Sequence, residues 1–439
     1  MNKYTIIIIF LIGFSHLAIG QVKTWSVQEC IEKALENNIE IKIRQLEVKR
    51  VQKSHNSLLN QLLPSVNLFG DQSYNFGSTI DPSTNGRVSS NIQFDNFYIN
   101  SKMNLIDFGM FFTVQKEKID IKKAKAEKEI IENEYKLQLL ESFYQALFTQ
   151  ELLTIQKLQL DNSLFNLNRI RKEVDLGSKP KSDLYDMQLS FSQEEKRIVE
   201  TEQLSKIQKM QLFQLMNFLQ INPSEVTLET NLINEKASEN NSEWNNPKIK
   251  LAELNFKSNL KWTSIQRASK LPSLTAYYSL STFFYKPIGE TANNLISFRN
   301  QLENNKNQQF GIQLAVPIFN GFRTNKKIAT SKIETEKSKL ILEQEEQKLN
   351  KQLALEVSNK ENYLQIQQRL IEMLVFAKAS FATTQAKFST GKIDALTFAS
   401  IKNAVISSEY DLLKNKLQLQ YVDLKISLIK NNQLSSSNK

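Results

Sequence analysis

The stretch QFGIQLAVPIFNG, residues 309–321, alternates side chain by side chain. Phe310, Ile312, Leu314, Val316 and Ile318 fall on one face, and Gln309, Gly311, Gln313, Ala315 and Pro317 on the other. A period of two with one apolar face is a strand that borders an apolar medium on one side and water on the other. Pro317 has no amide to donate, so ladder pairing should stop there, and Asn320 and Gly321 should turn the chain out of the strand.

The chain beyond that turn is very different. No glycine or proline occurs in 110–176, 181–222, 322–390 or 392–439, and these segments are rich in Leu, Lys, Glu, Gln and Ile. They read as helices. The first and third, at about 67 residues and ~1.5 Å per residue, would each be roughly 100 Å long. Leu370, Leu374, Ala377, Phe381, Thr384 and Phe388 step by four and three, as do Leu160, Ser163, Leu167, Ile170 and Val174. That is a coiled-coil seam.

Glycine and proline also mark an internal repeat. ENNIEIK (36–42) resembles WNNPKIK (244–250), LLPSVNLFG (62–70) resembles KLPSLTAYY (270–278), and VDLGSK (174–179) resembles FSTGKI (388–393). The expected organisation is a signal peptide over 1–20 and two repeats, 21–230 and 231–439. The first repeat holds strands at about 64–78 and 88–106 and helices 110–176 and 181–220. The second holds strands at about 272–285 and 308–318 and helices 322–389 and 393–432, with a linker around 221–246. Val66, Leu68, Tyr74 and Phe76 share one strand face, and Leu274, Tyr278, Leu280 and Phe284 another. The 88–106 strand changes apolar phase, which predicts a bulge near Asn96.

Composition narrows the class. The formal net charge is +10, but basic and acidic residues interleave along the helices, the pattern of a solvated face rather than a nucleic-acid footprint. Cys30 is the only cysteine, so no intramolecular disulfide exists. His55 is the one histidine beyond the signal segment and reads as a surface residue. No phosphate loop, dinucleotide fingerprint or metal-ligand cluster is present, so neither an enzyme nor a cofactor is expected. Beyond the signal segment nothing resembles a membrane-spanning helix, so any membrane entry must use strands. Four strands are too few to close a transmembrane barrel, whose smallest single-chain forms need about eight. Three copies would supply twelve.

These features together resemble the TolC-like outer membrane efflux proteins of Gram-negative bacteria. The resemblance rests on WSVQECIEKALENNIEIK (25–42), LLPSVNLFG, the strand-to-helix junction VPIFNGFR (316–323) and two glycine turns in long hairpins. It implies a mixed α and β membrane protein. Very long antiparallel helices would form a trimeric α-helical tunnel, and each chain would give four strands to a shared 12-stranded β-barrel in the outer membrane. It implies a homotrimer working with a periplasmic adaptor (a membrane fusion protein) and an inner membrane transporter, as the exit duct of a tripartite efflux or type I secretion system. Phe310, Ile312, Leu314 and Val316 would face outer membrane lipid. The tips DLGSKPKSDLYDMQ (175–188) and STGKIDALTFASIK (389–402) would close the tunnel and receive the adaptor. In the family a glycine is commonly followed six positions later by aspartate. Gly177 and Asp183 fit this; after Gly391 the position is Thr397, a departure. Asp183, Asp186 and Asp394 are the candidate gate acids. A second reading is an exported coiled-coil scaffold without channel activity.

Overall fold

A computed structural model describes residues 23–80, 85–89, 91–218, 222–230, 245–288 and 297–434. The expected signal peptide lies outside the described residues. In chain order the elements are β1 (Lys23–Ser26), α1 (Val27–Asn37), α2 (Ile39–Ser54), α3 (Leu58–Leu62), β2 (Ser65–Asn75), β3 (Ser78–Ile80), β4 (Arg87–Ser89), β5 (Ile92–Ile106), α4 (Phe108–Asp175) and α5 (Lys181–Leu215). Next come β6 (Val226–Glu229), α6 (Pro247–Ala268), β7 (Ser273–Pro287), α7 (Phe298–Asn304), β8 (Asn307–Ala315), α8 (Arg323–Ser389) and α9 (Ala395–Asn431). Helix, two long strands and two long helices thus occur twice in the same order. The uninterrupted helices α4 and α8 have 68 and 67 residues.

The chain divides into two units. One comprises Met1–Leu46, Ala126–Lys250 and Gln344–Lys439, and the other Glu47–Lys125 and Leu251–Glu343. In the first, the core gathers Trp25, Cys30, Leu139, Leu140, Phe143, Leu212 and Leu428. Ser26 starts α1 with the capping box that its spacing to Glu29 suggests: the Glu29 amide donates to the Ser26 hydroxyl (3.3 Å), and the Ser26 amide donates to the Glu29 carboxylate (2.9 Å). Cys30 is fully buried, and burial, aided by the Glu29 carboxylate, pushes its thiol up to about 12. The expected linker is not featureless. Its residues 226–229 form β6, which pairs in parallel with β1, Trp25 opposite Leu228. A four-residue strand has too little pattern to show in a polar segment, so periodicity passes over it.

The second unit holds the antiparallel sheet β2-β5-β7-β8. Its register aligns Val66, Ser101, Tyr278 and Phe310 across all four strands, Leu68, Ile99 and Leu280 across three, and Met103, Ala276 and Ile312 across three. One face is therefore apolar over the half nearest the helices, while Ser65, Lys102, Thr275 and Gln313 stand on the other. The ladder of β8 ends at Ala315, two residues before Pro317. Gly321 and Phe322 then take φ of 64° and 60° at the turn into α8.

The bulge expected near Asn96 is absent. Asn96 pairs in register with Asp71 on one side and Phe283 on the other, and the irregularity falls between Asn104 and Ile106. The phase change has another cause. Toward the far end of the sheet, α7 packs its Phe298 against Phe97 and Phe284 on the otherwise apolar face. Asp95 is buried there, and the Gln93 amide nitrogen donates to its two carboxylate oxygens at 3.2 and 2.9 Å. Aromatics appear on the opposite face instead, Phe69 stacked on Tyr98 at 4.9 Å and Phe94 against Phe283 at 5.5 Å. Gln301 extends the ladder beyond the end of β8. It accepts from the Tyr285 amide and donates to the Tyr285 carbonyl, both at 2.9 Å. His55 is no free surface group: its Nδ1 lies 2.9 Å from the Glu117 carboxylate, which also accepts from the Asn56 amide.

Gly311 sits opposite Tyr277, whose ring lies over it; a Cβ there would approach the Tyr277 hydroxyl to 2.5 Å. Gly311→Ala is expected to cost about 1–3 kcal/mol through overpacking. Tyr277→Ala in the same chain should remove most of that penalty, a coupling that a double-mutant cycle of urea unfolding measures.

Candidate functional site

The two hairpin turns are built alike. The Gly177 amide donates to the Val174 carbonyl (2.9 Å) and the Ser178 amide to that of Glu173 (2.8 Å). The Gly391 amide donates to Phe388 (3.2 Å) and the Lys392 amide to Lys387 (2.9 Å). Both are Schellman closures, which require a left-handed residue after the helix. Gly177 and Gly391 supply it, at φ of 70° and 73°, and an added Cβ would meet nothing within 4 Å at either site. Backbone conformation alone selects glycine here.

The next helices start differently. α5 has Pro180 at its N-cap, with no side-chain cap, and Asp183 in its first turn. α9 has Asp394 at its N-cap, accepting from the Thr397 amide at 2.6 Å. That hydrogen bond, first, and the Thr397 hydroxyl next hold the Asp394 carboxyl below its usual range. Thr397, six positions after Gly391, thus gives its amide to the acid three positions before it, which is the cap.

Asp183 is buried and pairs with Lys179 at 3.4 Å. The Lys179 ammonium lies 4.3 Å from the Phe388 ring centroid, and Phe388 stacks on Phe398 at 4.4 Å. Leu167, Ile170, Met187 and Ala395 complete this buried cluster, which fastens one hairpin to the other. Of the three candidate gate acids, Asp183 is committed to Lys179 and Asp394 to the α9 amides, while Asp186 is exposed beside exposed Tyr185 and Leu189. The spacing Lys179–Asp183 was visible in the sequence; the contribution of Phe398 from the other hairpin was not.

Farther from the tips lies a buried polar link. The Lys402 ammonium of α9 donates to both Glu194 oxygens of α5 at 3.0 Å, to the Gln159 carbonyl at 3.2 Å and to the Ser163 hydroxyl of α4. Ser163 in turn donates to Glu194. All three side chains are buried, and burial pushes the Lys402 ammonium down while Glu194 opposes it. In sequence these residues are one lysine, one glutamate and one serine among many.

At the sheet, Phe310, Ile312, Leu314 and Val316 are 76%, 60%, 63% and 53% exposed. With Val66 and Leu68 they form a continuous apolar surface of the kind that marks a protein or membrane contact. Among the described residues no helix is long and apolar enough to cross a membrane, and no cluster of metal-ligating side chains occurs.

Known proteins share this architecture. Residues 240–426 match the family model described as outer membrane efflux protein. Among solved structures, CusC, studied for transmembrane channel formation, superposes with a TM-score of 0.75 at 15% identity, covering 94% of this chain and 92% of its own. The outer membrane protein VceC of Vibrio cholerae gives 0.74 at 12% identity, covering 92% and 96%. The CmeC outer membrane channel of Campylobacter jejuni gives 0.73 at 11%, covering 94% and 87%. No curated protein sequence matches the chain. The TolC-like resemblance is thus borne out: residues 240–426 carry the sequence pattern of outer membrane efflux proteins, and the described chain carries the fold of these channels.

Lys402→Ala strands a buried carboxylate and should destabilise the helical unit by about 3–5 kcal/mol in denaturant unfolding, whereas the paired change Glu194→Leu with Lys402→Met should recover most of the loss. The depressed Asp394 carboxyl has the opposite reach in pH. Its stabilising effect is complete above the unfolded carboxylate range and disappears as pH falls through the lower folded value. Hydrogen exchange at the Thr397 amide should accordingly show protection that weakens in acid, and Asp394→Asn should remove that pH dependence.

Proposed function

We propose that three copies of this chain form the exit duct of a tripartite efflux or type I secretion system, passing cargo from the periplasm to the exterior. The observation that carries this reading is the four-stranded sheet. Among the described residues the outer edges of β2 and β8 have no strand partner, and the face they share is apolar and exposed. Edge pairing β2 to β8 between copies removes both open edges, and three copies give the twelve strands of one closed barrel. The apolar face then meets lipid, and the polar face, with Gln309, Gln313 and Thr275, meets water.

The helical hairpins extend the water-filled path. Their exposed apolar residues, such as Phe376 and Val375 on α8 and Phe165 on α4, suit contacts between neighbouring copies. The tips at exposed Gly177, Gly391 and Thr397 receive the periplasmic adaptor, Asp183 shapes the first tip from within through Lys179, and Asp186 supplies an acid at the closed end. An inner membrane transporter supplies the energy. Opening is a movement of one hairpin against the other, resisted by Phe388–Phe398 stacking and by Lys402–Glu194. The scaffold alternative leaves Phe310 and its neighbours in water, and nothing in the comparisons favours it.

Light scattering of protein extracted from native membranes should give a particle near three times the chain mass; a water-soluble monomer would end the duct reading. Gly177→Arg with Gly391→Glu should abolish export in a strain lacking the native protein while leaving that particle intact. Unchanged export would remove the tips from adaptor docking.

A further inference from the structure

The chain's charge is unevenly distributed. Residues 47–125 and 251–343 hold 23 Lys and Arg against 13 Asp and Glu, which accounts for the whole net charge of +10. Within that unit the excess concentrates where helices meet sheet. Residues 259–272 and 316–333 contain Lys261, Arg267, Lys270, Arg323, Lys326, Lys327 and Lys332 and no acid. Elsewhere in the long helices the two signs interleave.

Packing brings these two segments together. The Thr263 hydroxyl of α6 donates to the Ser331 carbonyl of α8 (3.1 Å), and the Thr335 hydroxyl donates to the Asn259 carbonyl (3.2 Å). Ser258 on the far side of α6 bonds Asp120 of α4 at 3.0 Å. The three helices form a layer with α6 in the middle. On one face of it lies a cleft of about 450 Å³ lined by Lys257, Lys261, Arg267, Lys332, Leu260 and Thr335, with no acid in its wall. Lys257 pairs with Glu253, but Lys261, Arg267 and Lys332 have no ion-pair partner among the described residues.

The cleft opens on the apolar side of the sheet. Viewed along α6 toward β7, successive positions of a right-handed helix advance clockwise by about 100°. Counted from Thr263 on the α8 side, Lys257, Ser264 and Arg267 then cluster about a quarter turn clockwise. β7 continues α6 between β5 and β8, and its odd-numbered residues turn their amides toward the β8 side, as Tyr285 does to Gln301. For an L-residue strand this sends the even-numbered side chains, Leu274, Tyr278 and Leu280, to the same clockwise side. Arg267 stands one residue from the end of α6, and β7 opens at Ser273. Exposed Phe319 and Phe322, in edge contact at 5.5 Å, immediately precede Arg323 at the start of α8. Aromatics and cations at the foot of an apolar face are the side chains that suit a headgroup layer.

We propose that this cleft binds the headgroup of an anionic phospholipid from the leaflet on the helical side of the membrane. The inference rests on the barrel reading given above. Unpaired Lys261, Arg267 and Lys332 take the lipid phosphate, the apolar sheet face beyond Arg267 takes the start of the acyl chains, and the site fixes the depth at which the barrel sits.

The test uses the full chain, extracted in mild detergent and inserted into nanodiscs of phosphatidylcholine with or without phosphatidylglycerol. Lipid remaining bound after dilution into detergent is counted by native mass spectrometry. Wild-type protein should retain phosphatidylglycerol selectively. K261Q/R267Q/K332Q should reduce that retention more than about tenfold, and the charge-matched control K337Q/K339Q/K348Q should not. Equal retention of both lipids, equal loss in both triple variants, or displacement by inorganic phosphate would overturn the headgroup site. Failure of wild-type protein to enter either nanodisc would overturn the barrel reading along with it.

Discussion

A backbone amide or carbonyl buried in hydrocarbon needs a partner, and among the described residues the outer edges of β2 and β8 have none beside an apolar face. That constraint organises the rest. A sheet of four strands has no way to close on itself, and exposed edges next to apolar side chains recruit further strands. Copies that share a barrel are held at fixed spacing, and whatever the barrel strands lead into must keep to the same ring. β5 and β8 each lead directly, in element order, into a helix of more than sixty residues, so strand pairing between copies in the proposed barrel would also set helix pairing. The half-exposed seams of α4 and α8 are intelligible on this basis. They are only partly buried within one chain, and the proposed assembly of three would cover them.

The hairpins show a second use of constraint. Their turns are closed by the same pair of backbone hydrogen bonds and the same left-handed glycine, yet the helices beyond them are capped by different chemistry. Pro180 begins one, with Asp183 turned inward to Lys179; Asp394 begins the other. Two nearly equal shapes therefore carry different electrostatics. Buried contacts between them, aromatic near the tips and ionic farther away, tie unlike halves together. A buried ion pair contributes little net stability compared with an apolar one but penalises any separation of its partners strongly. Such a link favours one arrangement and resists intermediate ones.

Much of this was legible in the sequence because long elements repeat their signal many times. Helices of 68 and 67 residues declare themselves by the absence of glycine and proline, and the strand at 309–318 by unbroken alternation. Ser26 and Glu29 announced a cap because capping chemistry is local. What stayed hidden was non-local. β6 is four residues long and has meaning only beside β1. The phase change on β5 looked like a bulge because α7, some two hundred residues away, was not available to explain aromatics on both faces. His55 was an isolated histidine until Glu117 came beside it, and Lys402 one lysine among many until Glu194 and Ser163 enclosed it. At the tips, glycine positions could be read from the sequence, whereas Asp183 proved to be enclosed rather than displayed.

Cys30 has a practical consequence. The protein's one thiol is sealed in the core with its ionisation displaced to about 12, so at neutral pH it presents almost no thiolate to an oxidant or an alkylating reagent. The folded chain is chemically cysteine-free without any substitution. A cysteine placed at an exposed position such as Asp186 or Leu189 would be the sole reactive sulfur on each copy. Spin labels, fluorophores or bifunctional linkers would then report distances between hairpins in the unaltered background, and the spacing of the tips becomes a quantity that can be tracked in time.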